Sequence, residues 1–165
     1  MSKSIKKLLL NSEDINRKLV RISHEIIEKN TNVDDLLLIG ILSRGEPIAN
    51  RIRTNIKKIT NKNVKIGSLD ITFHRDDFRE RLVVPQVKGT SIDEDINDKV
   101  LVLVDDVLYT GRTIRAAMDE LNTFGRPSKI QLAVLVDRGH REVPIRADYV
   151  GANIPTHEGE HVKVE

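Results

Sequence analysis

V-L-V-L-V-D-D-V-L-Y-T-G-R-T, residues Val100 to Thr113, decides the fold. Its five leading apolar residues predict a strand buried on both faces of a parallel sheet. Asp105 and Asp106 are expected where that strand ends. Tyr109-Thr110-Gly111-Arg112-Thr113 then supply a glycine and two hydroxyls at the expected start of a helix. Ligands of open α/β sheets bind beyond the carboxyl ends of the strands, and free N–H groups at a helix start favour an anion. The segment therefore offers carboxylates for sugar hydroxyls and, a turn later, a cradle for phosphate. A phosphorylated sugar is the expected ligand.

Working outward, the same pattern recurs. Leu36 to Leu42 (L-L-L-I-G-I-L) reads as a buried strand, followed by Ser43-Arg44-Gly45 and by Pro47 in the first turn of a helix. The core stripe of that helix is expected at Ile48, Ile52, Ile56 and Ile59. Ile130 to Val136 is a further buried strand, with Asp137-Arg138-Gly139-His140-Arg141 at its carboxyl end and Arg146 shortly after. Val64 to Thr72 reads as another strand, in which Gly67 marks a bulge or a close backbone approach. Short strands are expected at Tyr149-Val150 and at Val162 to Val164.

Asn11 to Asn30 reads as a helix capped by Asn11 or Ser12, with Ile15, Leu19, Ile22 and Ile26 on its buried face. The helix after the central motif is expected over Arg112 to Phe124, stopped by Gly125 and Pro127. Phe73 to Asp98 is densely charged and reads as a long excursion between strands, in part a β-hairpin arm. Strands alternating with helices predict one α/β domain over residues 1–165, with a central, mainly parallel sheet flanked by helices. A flexible loop is expected at about 73–98 and a small C-terminal hood at about 150–165.

Composition excludes several chemistries. There is no Cys in the 165 residues, hence no disulfide, thiolate metal site or thiol nucleophile. No apolar run reaches membrane-spanning length, and the N-terminal cluster Leu8 to Leu10 is too short for a signal peptide, so a cytoplasmic protein is expected. G-x-x-x-x-G-K-[ST], G-x-G-x-x-G and G-x-S-x-G are all missing, which argues against a P-loop, a dinucleotide fold and a hydrolase elbow. Charge is uneven: residues 1–66 hold 14 Lys and Arg against 7 Asp and Glu, and the rest 13 against 18. A basic half invites a polyanion, although solvated helix faces give the same count. With three Phe, two Tyr and no Trp, the chain lacks the makings of a stacking platform for single strands.

Three strand ends bearing Ser43-Arg44-Gly45, Asp105-Asp106 and Asp137-Arg138 suit a sugar diphosphate. V-L-V-D-D-V-L-Y-T-G-R-T resembles the phosphoribosyl-diphosphate (PRPP) motif of type I phosphoribosyltransferases. Together with L-A-V-L-V-D-R-G-H-R-E-x-P-I-R-A-D-Y-V-G and D-I-T-x-x-R-D-D from Asp70, it resembles one narrower family. Its members are bifunctional pyrimidine-operon attenuation regulators and uracil phosphoribosyltransferases, and the likeness runs from about residue 5 to about residue 164.

That resemblance implies a type I phosphoribosyltransferase fold and an activity converting uracil and PRPP to UMP and diphosphate. It implies that Asp105 and Asp106 hold the ribose hydroxyls and that Thr110, Gly111, Arg112 and Thr113, with Val107, Leu108 and Tyr109 beside them, cradle the 5′-phosphate. Ser43 and Arg44 would form the pyrophosphate loop, where the family often has a non-proline cis peptide. Arg75 would belong to the closing loop, and Arg138 and Val162 would sit near the base. Mg²⁺ would be held by PRPP oxygens and water rather than directly by the protein. The resemblance further implies UMP-dependent binding of a stem-loop in pyrimidine-operon messenger RNA through Arg21, His24, Arg138, His140, Arg141 and Arg146. A homodimer or larger even homo-oligomer is expected. Val20 and Ala152 stand where the family often places polar or basic residues on the RNA face, and the family usually extends a little past the position of Glu165. A phosphoribosyltransferase for another base such as hypoxanthine, without RNA binding, is the alternative.

Overall fold

The computed structural model describes residues 6–71 and 89–165. Helix α1 (Ser12–Lys29) opens on a reciprocal cap: Asp14 N donates to Asn11 Oδ1 at 2.8 Å and Asn11 N donates to Asp14 Oδ2 at 3.1 Å. A single 3₁₀ turn, Val33–Asp35, leads into strand β1 (Leu36–Ile41), helix α2 (Gly45–Thr60) and strand β2 (Lys65–Leu69). Strand β3 (Val100–Leu108), helix α3 (Arg112–Leu121) and strands β4 (Lys129–Asp137) and β5 (Tyr149–Asn153) follow.

The strands form one sheet in the order β2-β1-β3-β4-β5, and every neighbouring pair is parallel. The chain leaves β1 toward β2 on one side and resumes at β3 on the other. The topological switch point, where crevices open in such sheets, therefore lies between the carboxyl ends of β1 and β3.

Alternation along the strands sorts the core into two layers. Leu36, Leu38, Val102, Val104, Ala133 and Leu135 face α1 and α2, meeting Leu19, Ile22, Ile26, Ile48, Ile52 and Ile56. Leu37, Ile39, Ile41, Leu101, Leu103 and Val134 face α3 through Ile114, Ala117 and Leu121. The strands are thus covered on both faces, as their continuous apolar runs predict.

Four expectations need correction. The central strand does not end at Val104, because Asp105 pairs with Val134, Val107 with Val136 and Leu108 with Asp137, so both aspartates belong to β3. Residues 162–164 are irregular rather than a strand, although Val162 and Val164 pack against the α1–α2 core. Ile59 is 39% exposed, since the helical stripe turns off the sheet in the last turn of α2. Helix α3 stops at Leu121, after which a turn carries Asn122 to Phe124. Gly67 does mark a close approach: a Cβ there would stand 3.0 Å from Ser91 O, and Ser68 and Ser91 form an antiparallel bridge. No described helix is long and apolar enough to cross a membrane.

Candidate active site

Two anion-seeking loops converge on the switch point. The first follows β1, where the Leu42–Ser43 peptide is cis and Ser43 and Arg44 are exposed. Gly45 then starts α2 in direct contact with the neighbouring strand. A Cβ on it would fall 2.2 Å from Val104 O and 3.2 Å from Asp105 Cα. Glycine is what lets the start of α2, just after the Ser43-Arg44 loop, lie against the backbone of β3 at Val104 and Asp105. Arg44 Nη1 donates to the carbonyl of Val164, joining this loop to the C-terminal segment.

The second loop follows β3. Asp105, 9% exposed, accepts the N–H of Asp106 through Oδ1 at 2.8 Å, and Asp106 Oδ1 accepts that of Val107 at 2.8 Å. These bonds hold both carboxylates against their own backbone at the crevice. Val107 is half-buried and Leu108 buried. Arg112 N donates to Thr110 Oγ1 at 3.2 Å. Gly111, at φ 89°, turns the chain into α3 in the left-handed region, where a side chain would also meet Val143.

The start of α3 differs from that of α1. Helix α1 is capped by Asn11 and carries Glu13 and Asp14 in its first turn. Helix α3 has neither a side-chain cap nor an acidic residue there. Apart from the Arg112 N–H, which Thr110 Oγ1 accepts, its first turn has no side-chain cap, a start whose dipole favours an anion. The exposed Arg112, first residue of the helix, pairs its side chain with Glu142, Nε to Oε1 at 2.8 Å, and Thr113 after it is half-buried.

Beyond β4 the arginines turn inward. Arg138 is 7% exposed, with Nε on Thr156 Oγ1 at 3.0 Å, Nη2 on the Glu160 carbonyl and its guanidinium 4.0 Å from the Tyr109 ring centroid. Arg141 donates to Ile145 O and Tyr109 O, each at 2.8 Å, and to Asp137 Oδ2 at 2.5 Å. Arg138 is therefore largely buried among partners of its own chain, and Arg141 is engaged on all three guanidinium nitrogens. Both tie the C-terminal segments to the Tyr109 loop. His140 stays exposed, with Nε2 2.6 Å from Thr156 O and its ring edge-on to Tyr109.

Arg21 is exposed yet braces β5, donating to Val150 O at 3.1 Å, Gly151 O at 2.6 Å and Glu25 Oε1 at 2.8 Å. His24 and Arg146 lie on the surface. Val162 packs on the α1–α2 side of the sheet, and Arg75 lies outside the described residues. Thr156 and Glu160 were not legible as site residues, because their role depends on a chain reversal that brings them to Arg138 from 18 and 22 positions away.

A five-stranded parallel sheet with carboxylates and an uncapped helix start at its switch point is the architecture of a phosphoribosyltransferase. The phosphoribosyl transferase domain family matches residues 7–165. The chain is 57% identical over 156 residues to the "Bifunctional protein PyrR" of Clostridioides difficile (strain 630), covering 94% of this chain and 88% of that protein. It is 56% identical over 162 residues to the "Bifunctional protein PyrR" of Bacillus cereus (strain AH820), covering 97% and 90%. Among solved structures, a hypoxanthine-guanine phosphoribosyltransferase from Bacillus anthracis superposes with a TM-score of 0.72 at 21% identity, over 93% of this chain and 85% of that one. The hypoxanthine phosphoribosyltransferase of Trypanosoma cruzi gives 0.71 at 23%, over 91% and 82%. At such identities these two share the fold. The chain belongs to the phosphoribosyl transferase domain family and, within it, to the bifunctional PyrR proteins.

Proposed function

We propose that the chain transfers the phosphoribosyl group of PRPP to uracil, giving UMP and diphosphate, and that its UMP-bound form binds a stem-loop of pyrimidine-operon messenger RNA. It would do so in the cytoplasm as a homodimer or larger even oligomer. The observation that supports the transferase reading is the packing of Gly45 on the backbone of Val104 and Asp105, which seats the helix after the Ser43-Arg44 loop against the strand that carries both carboxylates and leads into α3. Two anion pockets flanking hydroxyl-binding carboxylates are what a ribose bearing phosphate at one end and pyrophosphate at the other requires.

The chemistry follows from charge. As the anomeric C–O bond breaks, negative charge grows on pyrophosphate and positive charge on the ribose. Arg44 and the amides of its loop meet the leaving group. Drawing Arg44 there replaces its bond to the Val164 carbonyl. Asp105 and Asp106 hold the ribose hydroxyls and lie near the developing cation, while uracil N1 bonds to the anomeric carbon from the opposite face and gives up its proton to solvent, and the N-terminus of α3 holds the 5′-phosphate. No protein nucleophile is needed.

Mg²⁺ would be held by PRPP oxygens and water with no direct protein ligand, and the neighbouring Asp105 and Asp106 carboxylates give a local charge that suits such a hard, hydrated cation. Bound with PRPP, it adds positive charge at the leaving pyrophosphate.

The test pairs two measurements. Radiolabelled uracil and hypoxanthine are each offered with PRPP and Mg²⁺, and an operon stem-loop is titrated with and without UMP. Uracil conversion and UMP-dependent retention are expected. Conversion of hypoxanthine alone, with no RNA retained, would replace this reading by that of a purine enzyme.

A further inference from the structure

The basic surplus of the first 66 residues is not absorbed by the crevice. Much of it gathers at the other end of the molecule, around a groove of about 680 Å³ between the last turns of α2 and the start of β2. Arg53, Lys57, Lys58 and Lys65 line it together with Thr54 and Asn63, and no carboxylate is among its lining residues. Lys62, just outside, adds a further cation.

Helix α2 starts at the Ser43-Arg44 loop, and its 16 residues carry the chain about 24 Å away at 1.5 Å each. The groove is therefore separate from the nucleotide crevice. The helix dipole accounts for cations in the last turn, Lys57 and Lys58. It does not account for Arg53, a turn earlier, or for Lys65 on another element. Local counter-charges are few and solvated: Lys65 meets Glu94 at 4.0 Å and Lys62 meets Asp34 at 3.4 Å, in pairs whose side chains are all well exposed. Such pairs give way readily to a polyanion.

We infer that this α2–β2 groove is a second nucleic-acid surface, taking the phosphate backbone of double-stranded RNA independently of UMP. Four cations on long flexible stems along an open groove suit a row of phosphates. A single compact anion needs convergent, oriented donors instead. No aromatic lines the groove, so it suits a paired backbone and not splayed bases. The inference shares with the proposed function only its class of partner. It places the contact at the far edge of the sheet and gives it no dependence on the nucleotide site.

The test uses the full chain without UMP and a labelled RNA duplex of arbitrary sequence, about 16 bp long, the span of one double-stranded-RNA module. Anisotropy is followed between about 50 and 200 mM salt. The Arg53→Gln/Lys57→Gln/Lys58→Gln variant is expected to bind at least about tenfold more weakly at low salt, with a salt slope reduced by about two to three. Lys57→Arg/Lys58→Arg should bind as the parent does, and UMP-dependent retention of an operon stem-loop should persist in the glutamine variant with weaker affinity. Circular dichroism checks that substituting half-buried Arg53 and exposed Lys57 and Lys58 leaves the fold intact. Absence of duplex binding by the parent chain, or an unchanged slope in the triple variant, overturns the inference. Competition by polyglutamate as effective as that by RNA assigns the groove to an acidic protein instead, and competition by stoichiometric pyrophosphate assigns it to a compact anion. Failure of UMP-dependent retention with duplex binding intact would count against the operon-RNA reading alone.

Discussion

The guanidinium of Arg138 lies 4.0 Å over the ring of Tyr109. This contact joins the end of β4 to the loop between β3 and α3, and Arg138 extends it to Thr156 and Glu160. With Arg138 buried and Tyr109 44% exposed, the cation–π pair is worth about 0.5–2 kcal/mol. Tyr109→Ala should therefore lower the melting temperature by about 2–6 °C in a domain of this size. Tyr109→Phe keeps the ring face and should stay close to the parent. Arg138→Lys loses both the planar stack and the fork that reaches Thr156 and Glu160, so calorimetry should place it with the alanine variant. If phenylalanine proves as damaging as alanine, the ring face is not what matters.

Asp105 and Asp106 are held by their own backbone, each accepting the next residue's N–H at 2.8 Å. Asparagine can accept the same bond, so Asp105→Asn and Asp106→Asn should fold. Both lose the charge facing the developing ribose cation. Turnover should drop about 10²–10³-fold, in the range found for removing one preorganised electrostatic group. Steady-state uracil transfer with a parallel melting curve checks this, and an asparagine variant with parental turnover would remove that carboxylate from the mechanism.

Gly45 carries the packing that brings the two loops together. The nearest atom to an added Cβ would be Val104 O at 2.2 Å, a backbone atom within a paired strand that has no room to retreat. Gly45→Ala should cost about 1–3 kcal/mol through overpacking, and it should weaken PRPP binding by moving the start of α2 off β3. Calorimetric PRPP titration of the folded variant separates the two effects. Parental affinity would show that the loop's seat on β3 is dispensable.

The architecture was legible because each core strand is a continuous apolar run and each crossover helix shows a clean buried stripe. The limits of legibility are equally physical. An apolar run ends where burial ends, but a hydrogen-bond ladder does not, so Asp105 and Asp106 looked terminal while β3 runs on to Leu108. The loops after β1 and β3 could be placed from short-range features, namely glycine, hydroxyls and strand ends. Arginine is different. Its long side chain reaches partners set by tertiary structure, and nothing local distinguishes Arg138 and Arg141, turned inward, from exposed Arg146.

That difference separates two arginines with the same expected role. Arg141 donates to Asp137, Ile145 and Tyr109, whereas Arg146 is exposed. Arg141→Ala leaves a half-buried carboxylate and two carbonyls without these donors and should cost about 1–3 kcal/mol. Arg146→Ala should leave the melting temperature unchanged and, if this surface meets RNA phosphates, reduce the salt slope of stem-loop binding by about one. Turnover should survive in Arg146→Ala. A destabilised Arg146→Ala, or an Arg141→Ala as stable as the parent, would reverse the assignment.

A buried network fixes the remaining edge of the sheet. Tyr149 Oη donates to Gln131 Oε1 at 2.7 Å and accepts from Asn30 Nδ2 at 3.2 Å, linking β5, β4 and the end of α1. Burial pushes the Tyr149 phenol from 10.0 up to about 12; the Asn30 bond opposes the shift, while the charges of Asp148 and Glu25 add to it. A folded-state pKa above the unfolded value means that the native protein holds this proton more tightly. The resulting stability is complete below about pH 10 and is lost as pH rises toward 12. At about 1.4 kcal/mol per unit, the full effect approaches 2–3 kcal/mol. Tyr149→Phe removes it and takes one partner from each of the Gln131 and Asn30 amides, which keep their bonds to each other and to Ile26 O, at a cost of about 0.5–1.5 kcal/mol. Urea unfolding should therefore show the variant less stable than the parent at pH 7, with the gap narrowing between about pH 10 and 11.5 as the parent alone loses this proton. A gap that stays constant or widens over that range would mean that the Tyr149 proton is not held by the fold.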